Sequence, residues 1–362
     1  MNSRRAAGFA VAPAILLAAA LCSGPARADG VQLVGTIAIP GSPLASYDIS
    51  FVEPHSRLYF LADRSNAGVD IFDTRTNQFV ARIGGFKGFT GSNDTSGPDG
   101  VVADGDRLYA GDGDSTLKVI DIDSRQIINV ISTGGVKRVD EMALDHEGGK
   151  LLVVNNADEP PFMTLISTRP GNRILFGHIT VSGATGGLEQ PVWDRRTKRF
   201  YISVPELNHD ATQSGVAVFN PATGQVEGVF NAGNCGPAGL TLGPNQHLLL
   251  GCAQPPSLVM DARTGAIVAS IPQVGGSDEV WFNPGDQHYY LAARNNPGGP
   301  VLGVVDAETN QWLQNVPTAP NSHSVAANPR TNLIYVPLTA NPASPCPHGC
   351  IGVFRDTSDD DK

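Results

Sequence analysis

The stretch SDEVWFNPGDQHYYLAA (277–293) holds a short apolar run, a polar turn containing Pro, Gly and Asp, and a second run rich in Tyr, Leu and Ala. Apolar runs of this length bounded by turn formers read as two antiparallel strands joined by a tight turn. The same grammar recurs in SYDISFVEPHSRLYFLAD (46–63), GPDGVVADGDRLYAGDGD (97–114), VDEMALDHEGGKLLVVNNAD (139–158), LEQPVWDRRTKRFYISV (188–204), PAGLTLGPNQHLLLGCA (237–253) and SHSVAANPRTNLIYVPL (322–338). A β-hairpin is therefore written seven times.

A second hairpin follows most of these, as in GVDIFDTRTNQFVARI (68–83), TLKVIDIDSRQIINVI (116–131), GVAVFNPATGQVEGVF (215–230), SLVMDARTGAIVASI (257–271) and LGVVDAETNQWLQNV (302–316). Asp or Asn starts each turn, and Gly or Asn often takes its fourth or fifth place, where a left-handed backbone is least strained. Two hairpins make four strands per unit. Four-stranded units of roughly forty to fifty residues close radially into a propeller, where each sheet face is buried against a neighbour and only short edges remain. The expected fold is all-β, a seven-bladed β-propeller of four-stranded antiparallel blades. The seventh unit ends at its third strand, CIGVF (350–354), whereas residues 31–39 form an orphan strand near the start. That N-terminal strand is expected to close the last blade and so tie down a chain end.

The repeats resemble the YVTN family of seven-bladed propellers, most closely in NSHSVAANP (321–329) with LIYV (333–336), and in LKVID (117–121). The resemblance covers nearly all of the chain after residue 28 and implies the propeller fold. For function it implies only a range, because the family and its relatives include surface-layer and periplasmic binding proteins, electron-transfer subunits and a few hydrolases and lyases.

Arg4 and Arg5, an apolar run over residues 10–21, and Ala26-Arg27-Ala28 read as a cleavable signal peptide over residues 1–28. A single propeller is expected over residues 29–355 and an acidic, disordered tail over 356–362. The apolar run is too short to span a bilayer, and no later run approaches the ~20 apolar residues of a spanning helix. A periplasmic or secreted protein without a membrane span follows. Losing residues 1–28 removes three arginines and no acid, so the formal net charge of −10 becomes −13. Nucleic-acid binding needs clustered Lys and Arg, which such a chain lacks. Four cysteines remain after residue 28, and an oxidising compartment makes disulfides the default. Cys235 and Cys252 flank one hairpin and are expected to pair. Cys346 and Cys350 would then close a small loop, since CPHGC is neither a haem-attachment motif nor a full set of metal ligands.

Aligning the hairpins places Asp48, Asp99, Asp140, Glu189, Ala238, Asp278 and His323 just ahead of the innermost strands, at the mouth of the central channel. Carboxylates crowded around a channel raise one another's pKa unless a cation or donor answers them. Asp48, Asp99, Asp140, Glu189, Asp278 and His323 are therefore candidate ligands for a divalent ion, calcium or a transition metal. Such an ion could activate water, with His323, Asp99 and Asp140 as the catalytic candidates of a hydrolase, lactonase or lyase. The same acids could instead bond free backbone N–H groups or line a solvated mouth. A second set, Asp63, Asp112, Asn155, Arg294 and loop 205–209, lies at the ends of the second strands. Arg294 could fix a ligand carboxylate or phosphate, or pair with a ring acid. Inserts at 86–96, 158–162 and 206–214 interrupt the repeat and are the natural walls of a site. No nucleophile elbow, haem motif or nucleotide motif occurs. The expected function is that of a monomeric binding module holding a small molecule, a metal or a partner protein at an acidic mouth, with metal-dependent catalysis as the alternative.

Overall fold

The computed structural model describes Met1, residues 30–342 and residues 346–357. The proposed signal peptide, Met1 apart, lies outside the described residues. So does residue 29.

The chain folds into seven four-stranded antiparallel sheets, and in the first six the strands run outward from the centre in chain order. The first blade is Ser50–Glu53, Leu58–Asp63, Gly68–Asp73 and Gln78–Gly84. The innermost strands of the next five are Val101–Asp104, Met142–Asp145, Pro191–Asp194, Pro237–Leu242 and Val280–Asn283. The seventh blade takes Ala326–Asn328, Leu333–Leu338 and Cys350–Asp356 from the end of the chain, and Val31–Ala38 from its beginning. That N-terminal strand is outermost and antiparallel, with Val31 opposite Asp356 and Ala38 opposite Cys350. The expected closure is thus present. The last strand runs one residue past the expected boundary, and Thr357 donates its backbone N–H to the Gly30 carbonyl at 3.0 Å. The disorder expected from residue 356 onward therefore does not hold for Asp356 and Thr357, because the closing strand gives both a partner. Residues 358–362 lie outside the described residues.

In five of the blades the outer hairpin is closed by the same side-chain device. Asp73, Asp121, Asn220, Asp261 and Asp306 each accept a backbone N–H two or three residues ahead, at 2.7–3.0 Å. Four residues after each acceptor the backbone enters the left-handed region, at Asn77, Arg125, Gly224, Gly265 and Asn310. An Asx turn thereby offers its side chain in place of a ladder bond and reverses the strand.

Strand alternation then sends apolar side chains to both sheet faces, and each pair of neighbouring blades shares one hydrophobic cluster. Between the seventh and first blades it contains Ile37, Tyr59, Leu61, Phe72, Tyr335 and Val353. Between the first and second it contains Phe60, Ile71, Leu108 and Ile120. Innermost strands touch in sequence around the ring, including the first against the seventh. At their leading ends the approach is so close that a Cβ on Gly100 would stand 2.1 Å from the Asp140 carbonyl oxygen, which accounts for glycine there. Two disulfides are formed as expected, Cys235–Cys252 across the inner hairpin of the fifth blade and Cys346–Cys350 ahead of the last strand. No helix among the described residues is long and apolar enough to cross a membrane.

Ile37 carries the closure, since it lies on the N-terminal strand and is 3 % exposed inside the seventh–first cluster. Ile37→Ala should cost about 2–4 kcal/mol, as expected for truncating a buried aliphatic side chain. In urea the loss should appear in one cooperative transition. A loss under about 0.5 kcal/mol would show that the ring does not depend on this strand.

Candidate functional site

The residues aligned ahead of the innermost strands do converge at one end of the channel. Asp48, Asp140, Glu189, Asp278 and His323 line a single polar cavity with Tyr47, Arg64, Arg138, Glu141 and Arg294. Its volume is about 110 Å³. Asp99 is fully buried just behind this lining.

Cations occupy the space between the carboxylates. Arg64, at the end of the second strand of the first blade, donates through Nη2 to Asp48 Oδ2 at 2.5 Å and through Nε to Asp99 Oδ1 at 2.9 Å. It therefore ties the first blade to the second. Arg138 binds Asp140 Oδ2 through Nε at 2.8 Å and Nη2 at 2.7 Å. Arg294 pairs with Asp278 at 2.9 Å, and Asn156 donates to Glu189 Oε1 at 2.6 Å. His323 stacks on Tyr47 with ring centroids 4.5 Å apart. Its Nδ1 lies 2.7 Å from the Asn321 carbonyl, to which it donates, and Nε2 faces Asp48 at 3.5 Å.

Of the second set, only Arg294 reaches this cavity. Asp63 caps the turn at Asn66 and pairs with Arg82 at 3.1 Å. Asp112 accepts the Gly113 N–H and binds the Lys118 ammonium. Asn155 donates to Ser115 Oγ and Asp158. These three side chains fix strand ends and loops. Arg64 and Arg138 escaped the sequence reading. The signal for Arg64 was one place further along the repeat, because Arg64, Asn156 and Arg294 all directly follow a second strand, of the first, third and sixth blades.

Directly after the ring residue, in four of the blades, lies a deeper layer that was also missed. Here Glu141, Gln190, Glu279 and Ser324 follow the ring residues Asp140, Glu189, Asp278 and His323. Gln190 reaches across the channel: its Oε1 accepts Leu240 N at 2.8 Å and Val280 N at 3.1 Å, and its Nε2 donates to Val280 O at 3.1 Å. Glu279 accepts the Ser324 hydroxyl and the Val325 N–H, and Ser324 Oγ lies 2.7 Å from Ser50 Oγ. The Glu141 carboxyl has no hydrogen-bond partner among the described residues.

Electrostatics follow from this inventory. Burial works against ionising Asp48, but Arg64 and His323 outweigh it and hold the carboxyl below its ordinary range. Asp99 shares the same guanidinium, and burial together with the Asp48 charge pushes it well up. Burial lifts Asp140 to about 6 against the pull of Arg138. Burial and the surrounding acids raise Glu141 and Glu189 well above a normal glutamate. Glu279 is lifted by burial to about 8 despite its three donors.

The ring acids make a poor metal site as they stand. A divalent ion needs several oxygen or nitrogen lone pairs converging on one point. Guanidinium groups already fill the positions beside Asp48, Asp99, Asp140 and Asp278, and no three His, Cys, Asp or Glu side chains converge among the described residues. The arrangement suits a small polar ligand better. Next to the mouth lies a wider trough of about 800 Å³ sharing Asn93 and Arg138 with it, and residues of all three sequence inserts, Asn93, Asp158 and His209 among them, form its walls.

Two outcomes test these electrostatics. Arg64→Met leaves Asp48 and Asp99 buried without their cation and should cost about 3–5 kcal/mol near neutral pH, with less loss in acid. Adding Asp99→Asn should restore part of it, and equal losses at both pH values would contradict the pairing. For Glu279 the folded pKa of about 8 lies above the unfolded 4.5, so the folded state keeps a proton that the unfolded state releases. Its contribution is full below about pH 4.5 and is lost as pH rises to about 8. Denaturant titrations should therefore show Glu279→Gln gaining stability over the parent protein across that interval. A gap that stays constant with pH would contradict the assignment.

No protein family matches the chain, and no curated protein matches it. Among solved structures, one chain of a structure described as "Crystal Structure of Mitotic Checkpoint Complex" superposes with a TM-score of 0.69 at 12% identity, covering 98% of this chain and 99% of that one. As many as 1621 solved chains match, so the likeness identifies the propeller scaffold and leaves function to the site.

Proposed function

We propose that the protein is a binding propeller, a member of the YVTN-type group, whose charged channel mouth and adjoining trough hold a small polar ligand. The observation that carries this reading is the state of Arg138 and Arg294. Each meets one carboxylate while lining the cavity, so several of its five N–H donors remain for a ligand. A planar acidic group, carboxylate or phosphate, fits that fork. Glu189, raised by burial and by its acidic neighbours, offers a carboxyl that can donate to the same molecule. The leader-like residues 1–28 and the two disulfides support an exported protein that meets its ligand outside the cytoplasm.

Metal-assisted hydrolysis uses the same residues in another way, with His323, Asp99 and Asp140 around an ion. The guanidinium-filled ring weighs against it. Elemental analysis together with calorimetry separates the two readings. The purified protein should carry no stoichiometric divalent metal and should bind members of a panel of phosphate, dicarboxylates and amino acids. Arg138→Ala with Arg294→Ala should weaken that binding at least about tenfold, or 1.4 kcal/mol. One equivalent of metal, lost in His323→Ala, would overturn the binding reading in favour of catalysis. A panel bound equally well by the double variant would remove the mouth as the site.

A further inference from the structure

The opposite end of the channel is built from different chemistry. Its cavity measures about 270 Å³ and is lined by Phe51, Met142, Trp193, Leu242, Trp281 and Phe282 from five of the inner strands. All six side chains are half-buried, so solvent reaches rings that a closed core would have sealed. Phe51 and Trp281 occupy equivalent repeat positions and meet edge-on with centroids 5.5 Å apart. His146 stands exposed at the rim, 2.8 Å from Asp104.

The floor of this aromatic cavity is the deeper layer of Glu141, Gln190 and Glu279. Gln190 and Glu279 are satisfied by neighbouring strands. Glu141 is not. Its side chain lines both cavities, the residue is 4% exposed, and no hydrogen bond reaches its carboxyl among the described residues. A buried carboxyl without a donor is an expensive arrangement that a bound donor would relieve. The charged groups acting on it most strongly are Glu189, Asp140, Glu279 and Asp278, all acids. Among the described residues no arginine or lysine lines this end, so an anionic ligand finds no partner here. A cation is drawn to it, and the faces of Trp and Phe attract cations as well.

We propose that the aromatic end of the channel is a binding site for an organic ammonium ion, its apolar body among Phe51, Trp193 and Trp281 and its N–H donors on Glu141. The site opens at the other end of the channel from the arginine-bearing mouth and meets it at Glu141. Because Glu141 holds its proton in the empty site, the cation displaces that proton, and affinity rises with pH.

The test uses 2-phenylethylammonium, with 2-phenylethanol and phenylacetate as neutral and anionic counterparts, in calorimetry and in the fluorescence of Trp193 and Trp281. The ammonium ion should bind at least about tenfold tighter than the alcohol, and phenylacetate weakest. Glu141→Gln should bring the ammonium and alcohol affinities together, while Trp281→Leu should weaken both. Calorimetry of the parent protein in two buffers of different ionisation enthalpy should show a proton released on ammonium binding, a readout that stands even if a variant fails to fold. Equal affinities for ammonium and alcohol, a preference for phenylacetate, or binding without proton release would each overturn the proposal, as would no binding of any of the three. Arg138→Ala with Arg294→Ala removes two cations from beside the acids around Glu141 and so should not weaken ammonium binding while it weakens binding of the mouth's anionic ligand, so failure of the mouth reading and failure of this one are told apart.

Discussion

Seven inner strands converging on one axis bring their leading residues into a space too small for independent hydration, and most other features of the molecule answer that crowding. Five of the seven leading positions are acids, and two more carboxyls follow immediately behind them at Glu141 and Glu279. Among the described residues, Arg64, Arg138 and Arg294 are the cations in the mouth. Carboxyls outnumber guanidiniums there, and burial removes the water that would otherwise screen them. The imbalance is met by sharing, as when Arg64 serves Asp48 and Asp99 together. It is also met by retained protons, which Glu141, Glu189 and Glu279 keep above the normal carboxylate range.

Closure of the ring is what makes the crowding tolerable. An open array of blades would splay and let water reach the carboxyls, whereas the N-terminal strand locks the seventh blade to the first through Ile37, Tyr59 and Tyr335. Buried ion pairs contribute little net stability by themselves, because desolvation offsets their attraction. The apolar clusters between blades supply the stability, and the polar axis supplies specific contacts between neighbours. Arg64, Gln190 and the Glu279–Ser324–Ser50 chain each reach from one blade to another, so the axis sets the register in which blades meet.

Much of this was legible in the sequence. Hairpin period, turn chemistry and the orphan strand over residues 31–39 led to the closed seven-bladed ring, and cysteine placement led to both pairs. The ring residues Asp48, Asp140, Glu189, Asp278 and His323 were found because they share a repeat position. Their partners were not, because a partner comes from another position or another blade, and sequence alone does not measure that distance. Arg64 lies one place beyond the set that contained Asp63. Glu141 and Glu279 are hard to find from sequence because neighbours along a strand usually point to opposite faces, a rule that weakens where the inner strand begins at the channel. Trp193, Trp281 and Phe51 carry no signal of their own in the sequence, since an aromatic residue on an inner strand reads alike whether it packs in a core or lines a channel, and the width of the channel exposes them.

Protons held inside the channel are what let so many buried carboxyls share it. Infrared spectroscopy at about pH 7 reads this directly, since a protonated carboxyl absorbs at a carbonyl frequency that carboxylates lack and an ordinary Asp or Glu is ionised there. The folded protein should show a protonated-carboxyl band that decreases in Glu279→Gln and decreases again when Glu141→Gln is added. A fully ionised spectrum in the folded parent protein would contradict the account.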